Sequence, residues 1–311
     1  MRGARGLYLA HLGLGFLASA LVGATAVVVL SGTDLSAPTA GELSRACADW
    51  LGSGGPGALL GILALGLAAA VTIRAARSAL RQMRAARSYL RAMPLGADWM
   101  IGGVARRGVE LAEPLAFCAG YLRPRVYLSR GVIERLSAAE LRAVIAHENH
   151  HARRHDPLRR LLARALADGL FFLPILRRTS DRYARLGELA ADRAAVAAFG
   201  DRRPIAAALL KLSEHDPSPE PVVGIAPERV DHLLGDPRAE GWRLPRTLAG
   251  RSAVAILALA ALLFTAALAE PALDVPLLLM AGCMAGIVLA PLAVAAMAVV
   301  LSRRALRARS I

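Results

Sequence analysis

The run His147-Glu148-Asn149-His150-His151 matches the pattern His-Glu-x-x-His. Two histidines four apart on a helix project from one face and can hold a single zinc ion through imidazole nitrogens. Glu148, between them, is then placed to take a proton from a water beside the metal. Five residues make a short pattern, so the surroundings must decide whether it carries chemistry. A catalytic zinc keeps three protein ligands and leaves its fourth position open. His155 lies one turn past His151, but three ligands along one straight helix cannot converge tetrahedrally. A third histidine ten residues after the first is excluded, because Pro157 stands there and Arg154 replaces the glycine such a site needs. Glu188-Leu189-Ala190-Ala191-Asp192 has the spacing of a second ligand helix. There Glu188 would face the metal, and Asp192, one turn on, would accept the other ring N–H of a ligating histidine and fix its tautomer.

The expected site is therefore His147, His151 and Glu188 around one Zn²⁺ per chain, with Glu148 as the catalytic acid–base group and Asp192 behind a ligand. Glu148 takes a proton from the attacking water and returns it to the leaving amine of a cleaved peptide bond. Tyr183, Arg193 and His232 could each stabilise the oxyanion, and the sequence does not choose among them. His150 points about a quarter-turn off the ligand face and is expected at the surface. His155 is expected at a helix C-terminus, where positive charge is favoured. His11, His215 and His232 lack partners at ligand spacing.

These residues need helices to aim them. Ser137-Ala138-Ala139-Glu140 is a capping box that opens a helix, and Asp156-Pro157 should stop it near His155. Leu141, Val144, His147 and His151 follow one another at steps of three, three and four, so the ligands continue a core-facing stripe. Upstream, 115–121 and 126–128 read as a small β-hairpin around Leu122-Arg123-Pro124-Arg125. Downstream, a helix is expected over 161–176, with Phe171-Phe172-Leu173-Pro174 near its end, either dipping into a membrane or packing in the core. Another is expected over about 181–199, carrying Glu188 and Asp192. The stretch 216–227 reads as a loop.

Hydrophobic residues make up 56% of the 311-residue chain and aromatics only 5%. Four stretches, roughly 7–30, 57–73, 252–269 and 276–301, are long and apolar enough to span a bilayer. Arg2 and Arg5 precede the first; Arg74, Arg77, Arg81, Arg84, Arg87 and Arg91 follow the second. Arg246 and Arg251 precede the third, and Arg303, Arg304, Arg307 and Arg309 follow the fourth. The intervening loops carry mostly acids. The positive-inside rule then puts both termini and the region between the hairpins in the cytoplasm. Topology accounts for most of the net charge of +14, so direct nucleic-acid binding is not expected. Cys47, Cys118 and Cys283 fall in three different compartments and offer neither a disulfide framework nor a thiolate metal site. The six arginines after the second span line one helical face, which is solvated or meets anionic headgroups rather than docking an acidic partner.

The expected fold class is a mainly α membrane protein: four transmembrane helices with a cytoplasmic α+β zincin-type metallopeptidase domain. Its organisation is a transmembrane hairpin over 1–73, a basic amphipathic connector over 74–94, the peptidase domain over 95–245, and a second hairpin with a basic tail over 246–311.

The stretch Ala116-Phe117-Cys118-Ala119-Gly120-Tyr121-Leu122-Arg123-Pro124-Arg125-Val126-Tyr127-Leu128-Ser129 resembles the strand pair of the BlaR/MecR-type membrane zinc metallopeptidases. The resemblance continues through Leu136-Ser137-Ala138-Ala139-Glu140-Leu141, the His147–His151 motif, Arg154-His155-Asp156-Pro157-Leu158, Phe171-Phe172-Leu173-Pro174 and Glu188-Leu189-Ala190-Ala191-Asp192. It ends at Glu228-Arg229-Val230-Asp231-His232-Leu233-Leu234, covering about half the chain in order. It implies a gluzincin-type zinc site, with His147, His151 and Glu188 at the metal positions and Glu148 as the catalytic residue. It also implies residence in a bacterial cytoplasmic membrane and signal-dependent cleavage that ends in inactivation of a winged-helix BlaI/MecI-type repressor.

One departure is large. Those receptors carry an outer penicillin-binding domain after their last span, whereas this chain ends shortly after 301, and its outer loops of about 26 and 6 residues hold no Ser-x-x-Lys. A shorter, sensor-less relative is expected, without direct β-lactam sensing. A quality-control or processing peptidase of the HtpX or CAAX-protease groups is the first alternative; Arg-Pro-x-Val-Tyr-Leu-Ser and the Asp-Pro-Leu after the motif helix favour the BlaR/MecR reading over it. A catalytically inert membrane signal transducer is the second. The expected partners are the lipid bilayer and a protein or peptide substrate, added as an extra strand at an edge of the 115–128 hairpin.

Overall fold

The computed structural model describes residues 2–31, 56–213, 227–234 and 245–269. In chain order, the described elements are α1 (Arg2–Ser31), α2 (Pro56–Ala92), β1 (Trp99–Ile101), β2 (Val104–Val109), β3 (Ala116–Ala119), β4 (Arg125–Ser129) and α3 (Arg130–Arg135). They continue as α4 (Ala138–Arg154), α5 (Asp156–Gly169), α6 (Pro174–Phe199), α7 (Arg203–Ser213), α8 (Pro227–Leu234) and α9 (Arg246–Ala269). Among the described residues, Gly3–Ala26 of α1 and Leu63–Ala92 of α2 are long and apolar enough to cross a membrane. The expected third span falls on α9, and the fourth, 276–301, lies outside the described residues, as does the 216–226 part of the expected loop. The arginines after the second span stand on α2 itself, which runs unbroken for 37 residues before Pro94 disfavours helical geometry at Met93.

The chain divides into two compact units. The first comprises Met1–Tyr8, Gln82–Leu161 and Asp181–Arg243, the second Leu9–Arg81, Leu162–Ser180 and Leu244–Ile311.

The first unit holds a four-stranded sheet of order β1-β2-β4-β3. The expected hairpin is present as β3 antiparallel to β4, with Phe117 opposite Tyr127 and Cys118 opposite Val126; the two aromatic rings stack at 4.9 Å. Gly120 enters the turn at φ 106°, a backbone angle that side chains rarely adopt. β2 runs parallel to β4 and pairs antiparallel with β1, so β3 lies at one edge. Ser129 ties the sheet to α3: its hydroxyl accepts from Leu115 N and Val132 N and donates to Glu113 O. The capping box of α4 is complete, with Ser137 N donating to Glu140 Oε2 at 2.7 Å and Glu140 N to Ser137 Oγ at 3.3 Å. Lys211 of α7 holds the same Glu140 at 2.8 Å. The apolar stripe of α4, including Val144 and Ile145, packs with Val126 and Leu128 of β4 and with Ile205 and Leu209 of α7 in one buried cluster. That packing makes α4 a rigid mount for its polar face.

In the second unit, the helix expected over 161–176 is two helices. α5 stops at Gly169, residues 170–173 turn, and Pro174 opens α6, as a proline at a first helical position does. Leu170, Leu173 and Leu176 are buried with Ala18 of α1 and Val71 of α2. A Cβ on Gly169 would meet Ala75 Cβ at 2.8 Å, so the small residue allows α5 and α2 to approach closely.

Candidate metal centre

Four helices of the first unit aim polar side chains at one point. His147 and His151, 6% and 7% exposed, stand one turn apart on α4 with their Nε2 atoms 3.2 Å from each other. Glu188 of α6 brings its carboxylate to 3.4 Å from His147 Nε2 and 3.7 Å from His151 Nε2. One donor atom from each of the three residues falls within 4.8 Å of the others. Two zinc–nitrogen bonds of about 2.0–2.1 Å at a tetrahedral angle put their nitrogens about 3.3 Å apart, which matches the spacing of the two rings. Two imidazoles and one carboxylate also form a donor set that suits zinc.

Each ring is backed by a carboxylate on its far side. Asp192, fully buried, lies 2.9 Å from His147 Nδ1, off the line of a formed hydrogen bond. His151 Nδ1 donates to Asp156 Oδ2 at 2.8 Å. Such partners fix which nitrogen is free and increase its basicity. Asp156 reaches this place because α4 ends with His155 in the left-handed conformation, at φ 53°. That break turns the chain so that the first residue of α5 points back at His151.

Arginines surround the carboxylates. Arg229 of α8 donates twice to Asp192, Nε to Oδ2 at 2.8 Å and Nη2 to Oδ1 at 2.7 Å, and its Nη1 reaches within 3.8 Å of Glu188. Arg160 of α5 donates to Glu188 Oε1. Tyr183 of α6 donates its hydroxyl to Asp156 Oδ1 at 3.3 Å, so this candidate oxyanion group is committed elsewhere. Arg193 is half-buried next to Asp192, and the His232 side chain lies outside the described residues. His150, expected at the surface, is half-buried, its ring 6.3 Å from that of His151; burial and the neighbouring His151 and Arg154 charges push it down to about 4. His155 is exposed at the C-terminus of α4, and His11 is buried in α1, its ring bonded to Thr179 and to the Ala163 carbonyl.

The electrostatics of the cluster call for positive charge. Burial opposes protonation of His147, yet contacts with Asp192 and Glu188 and the charge of Glu148 push it up to about 10. Against the same burial, Asp156 and Glu188 raise His151. Glu188 is held well below the usual carboxylate range despite its burial, by both histidines and by Arg160. Burial raises Glu148, against the pull of the two histidines. Four carboxylates thus surround two rings, and a metal cation would supply the charge that protons otherwise supply.

Glu148, Asp192 and the three grouped donors all stood in the expectation from sequence, whereas Asp156, Arg160 and Arg229 did not. Asp156 was legible only as a helix stop. An Asp followed by Pro at the start of a new helix was the available signal, since proline favours a first-turn position. Arg160 left none, its partner lying 28 residues away in the chain; Arg229, 37 residues from its partner, stood in a stretch that carries the family resemblance but with no role attached to it.

No curated protein and no solved structure matches the chain. The family model described as BlaR1 peptidase M56 matches residues 60–232, a stretch that contains the sheet, the motif helix and every side chain of the cluster. It covers more than half of the sequence, and the chain belongs to the BlaR1 peptidase M56 family.

Proposed function

We propose that this protein is a membrane-anchored zinc endopeptidase that cleaves a cytoplasmic protein, with His147, His151 and Glu188 as metal ligands and Glu148 as general base. The observation that carries the reading is the convergence of three donor atoms within 4.8 Å, with a carboxylate behind each histidine. Zinc held there would supply Lewis-acid polarisation of the substrate carbonyl and a lowered water pKa. The chain's own residues do the rest. Asp192 and Asp156 orient the rings so that Nε2 of each faces the centre. Glu188 supplies the third donor, an oxygen, while Arg160 and Arg229 limit its movement. Glu148 takes a proton from water as the water oxygen attacks the peptide carbonyl, and passes it to the amine nitrogen as the C–N bond breaks. The edge strand β3 offers main-chain groups to an extended peptide; a proline at a hydrogen-bonding position there should impair cleavage.

The arginine distribution supports four spans with both termini and the peptidase unit on the cytoplasmic side of a bacterial inner membrane. The family membership supports a regulatory substrate, a winged-helix repressor of the BlaI/MecI type, over a quality-control role. Zinc per chain in detergent-purified protein tests the reading. About one ion in the parent, lost or sharply weakened in Glu188→Ala, is the expected result. No zinc in the parent under metal-replete conditions would favour an inert transducer, and full retention in Glu188→Ala would remove Glu188 from the ligand set.

A further inference from the structure

The first turns of α1 make contacts that the hydrolytic reading does not use. Ala4 and Leu7 pack on Leu186 and Leu189 of α6 in a small cluster, Leu189 being 1% exposed and next in sequence to the ligand candidate Glu188. One residue after Leu7, the Tyr8 ring lies on the Tyr183 ring of α6, centroids 4.8 Å apart and planes 32° apart. The Arg159 guanidinium of α5 sits 5.6 Å from the Tyr8 centroid. Tyr183 is 3% exposed, and its hydroxyl is the donor to Asp156 Oδ1. The other oxygen of Asp156 accepts from His151 Nδ1. Tilted ring contact, hydroxyl, carboxylate and imidazole thus form a continuous path from α1 to a candidate metal-donor histidine.

Each step constrains the next. A carboxylate rotates about its Cβ–Cγ bond unless both oxygens are held; Tyr183 holds one, which points the other at His151. Tyr183 can aim its hydroxyl only while its ring is fixed, and Tyr8 forms one wall of that ring's seat. We propose that Tyr8 is a positioning residue for His151, acting through Tyr183 and Asp156, so that docking of the first turns of α1 on α6 sets the affinity of the metal centre. The idea rests on the zinc reading above. Because α1 continues into a candidate span, withdrawal of that docked end would lower metal affinity without any change in the ligands themselves.

The test uses the full chain in detergent as parent, Tyr8→Phe, Tyr8→Ala, Tyr183→Phe and the double variant Tyr8→Ala/Tyr183→Phe. Zinc affinity is measured by competition with a chromophoric chelator, and the melting midpoint is measured on zinc-free protein. Loss of a group one step behind a metal ligand weakens binding by about 10–100-fold, so the more remote changes Tyr8→Ala and Tyr183→Phe should weaken it by about 3–10-fold. Tyr8→Phe should bind like the parent, since the ring contact needs only the ring. The double variant should be no weaker than Tyr183→Phe, because both changes cut one path. Parent-like affinity in Tyr8→Ala, equal weakening in Tyr8→Phe and Tyr8→Ala, or additive losses in the double variant would each overturn the proposal. If Tyr8→Ala does not fold, Tyr183→Phe keeps the ring and decides the matter: parent-like affinity there overturns it too. A parent that binds no zinc would sink the zinc reading and this proposal together, a result distinct from variants that differ in no way from a zinc-binding parent.

Discussion

Replacing Arg229 with alanine isolates how charge is balanced beneath the candidate metal centre. Arg229 is 6% exposed and grips a carboxylate, Asp192, that is 0% exposed, through two hydrogen bonds of 2.8 and 2.7 Å. In the variant that carboxylate stays buried with its bidentate partner gone, and Glu188 loses a neighbouring charge. Breaking a buried pair from one side costs about 3–5 kcal/mol, a large share of the ~5–15 kcal/mol that holds a typical protein folded. The melting midpoint should fall by roughly 6 °C or more. The pH dependence has a definite sign. Burial opposes ionisation of Asp192, but His147 and Arg229 hold it below its ordinary value, so it contributes stability above the unfolded value of about 3.9 and loses it as pH falls through the folded one. Without Arg229 the folded value rises, the variant takes up its proton at a higher pH, and its deficit against the parent narrows between pH 7 and pH 4. Thermal unfolding of zinc-free, detergent-purified protein at both pH values measures this. A deficit under about 1 kcal/mol at pH 7, the scale of an exposed pair, or one that widens in acid, refutes the reasoning.

Glu148→Gln should bind zinc like the parent yet cleave an unfolded protein substrate about 10²–10⁴-fold more slowly; parent-like cleavage would remove Glu148 from the proton transfers. Asp156→Asn, assayed by chelator competition, should lose about 10–100-fold in zinc affinity, and an unchanged value would mean that the His151 ring is fixed by its packing alone. In zinc-free protein His147, pushed up to about 10, and His151, also raised, contribute stability that is complete below the unfolded histidine value of about 6.5 and is lost as pH rises through the folded values. The melting midpoint of chelated protein should therefore fall from pH 6.5 toward pH 10, whereas the increment added by saturating zinc should grow, because binding releases those protons. A chelated midpoint that climbs over that range contradicts the assigned couplings.

The parts of the structure legible in the sequence are those set by local rules. Ser137 and Glu140 announced the start of α4 through a capping box, Pro157 marked its end to within a residue or two, and a four-residue repeat put His147 and His151 on one face. Glu188 and Asp192 could be placed on a second helix by the same repeat. β1 and β2 escaped because they are short, and because Arg106 and Arg107 interrupt any alternation in β2. The turn at 170–173 was read through as helix because Leu170–Leu173 is apolar enough to continue the pattern. His155 does stand at the C-terminus expected of it, but its left-handed conformation is the most consequential omission. Glycine or asparagine is the usual signal of a left-handed helix end, so the histidine itself did not announce the turn that redirects Asp156, and only the Asp-Pro pair after it hinted at a new helix.

The cluster also has an order of assembly in time. His147 emerges first from the ribosome, and Arg229, which neutralises the deepest carboxylate, follows 82 residues later. At about 5–20 residues per second, a growing chain carries Asp192 and Glu188 without that arginine for several seconds. During that interval α4 and α6 cannot close on their charged faces without leaving a carboxylate unbalanced, unless protons or a captured ion stand in. The charge balance of the site is therefore completed only after α8 has been made, because Arg229 is the bidentate partner of Asp192.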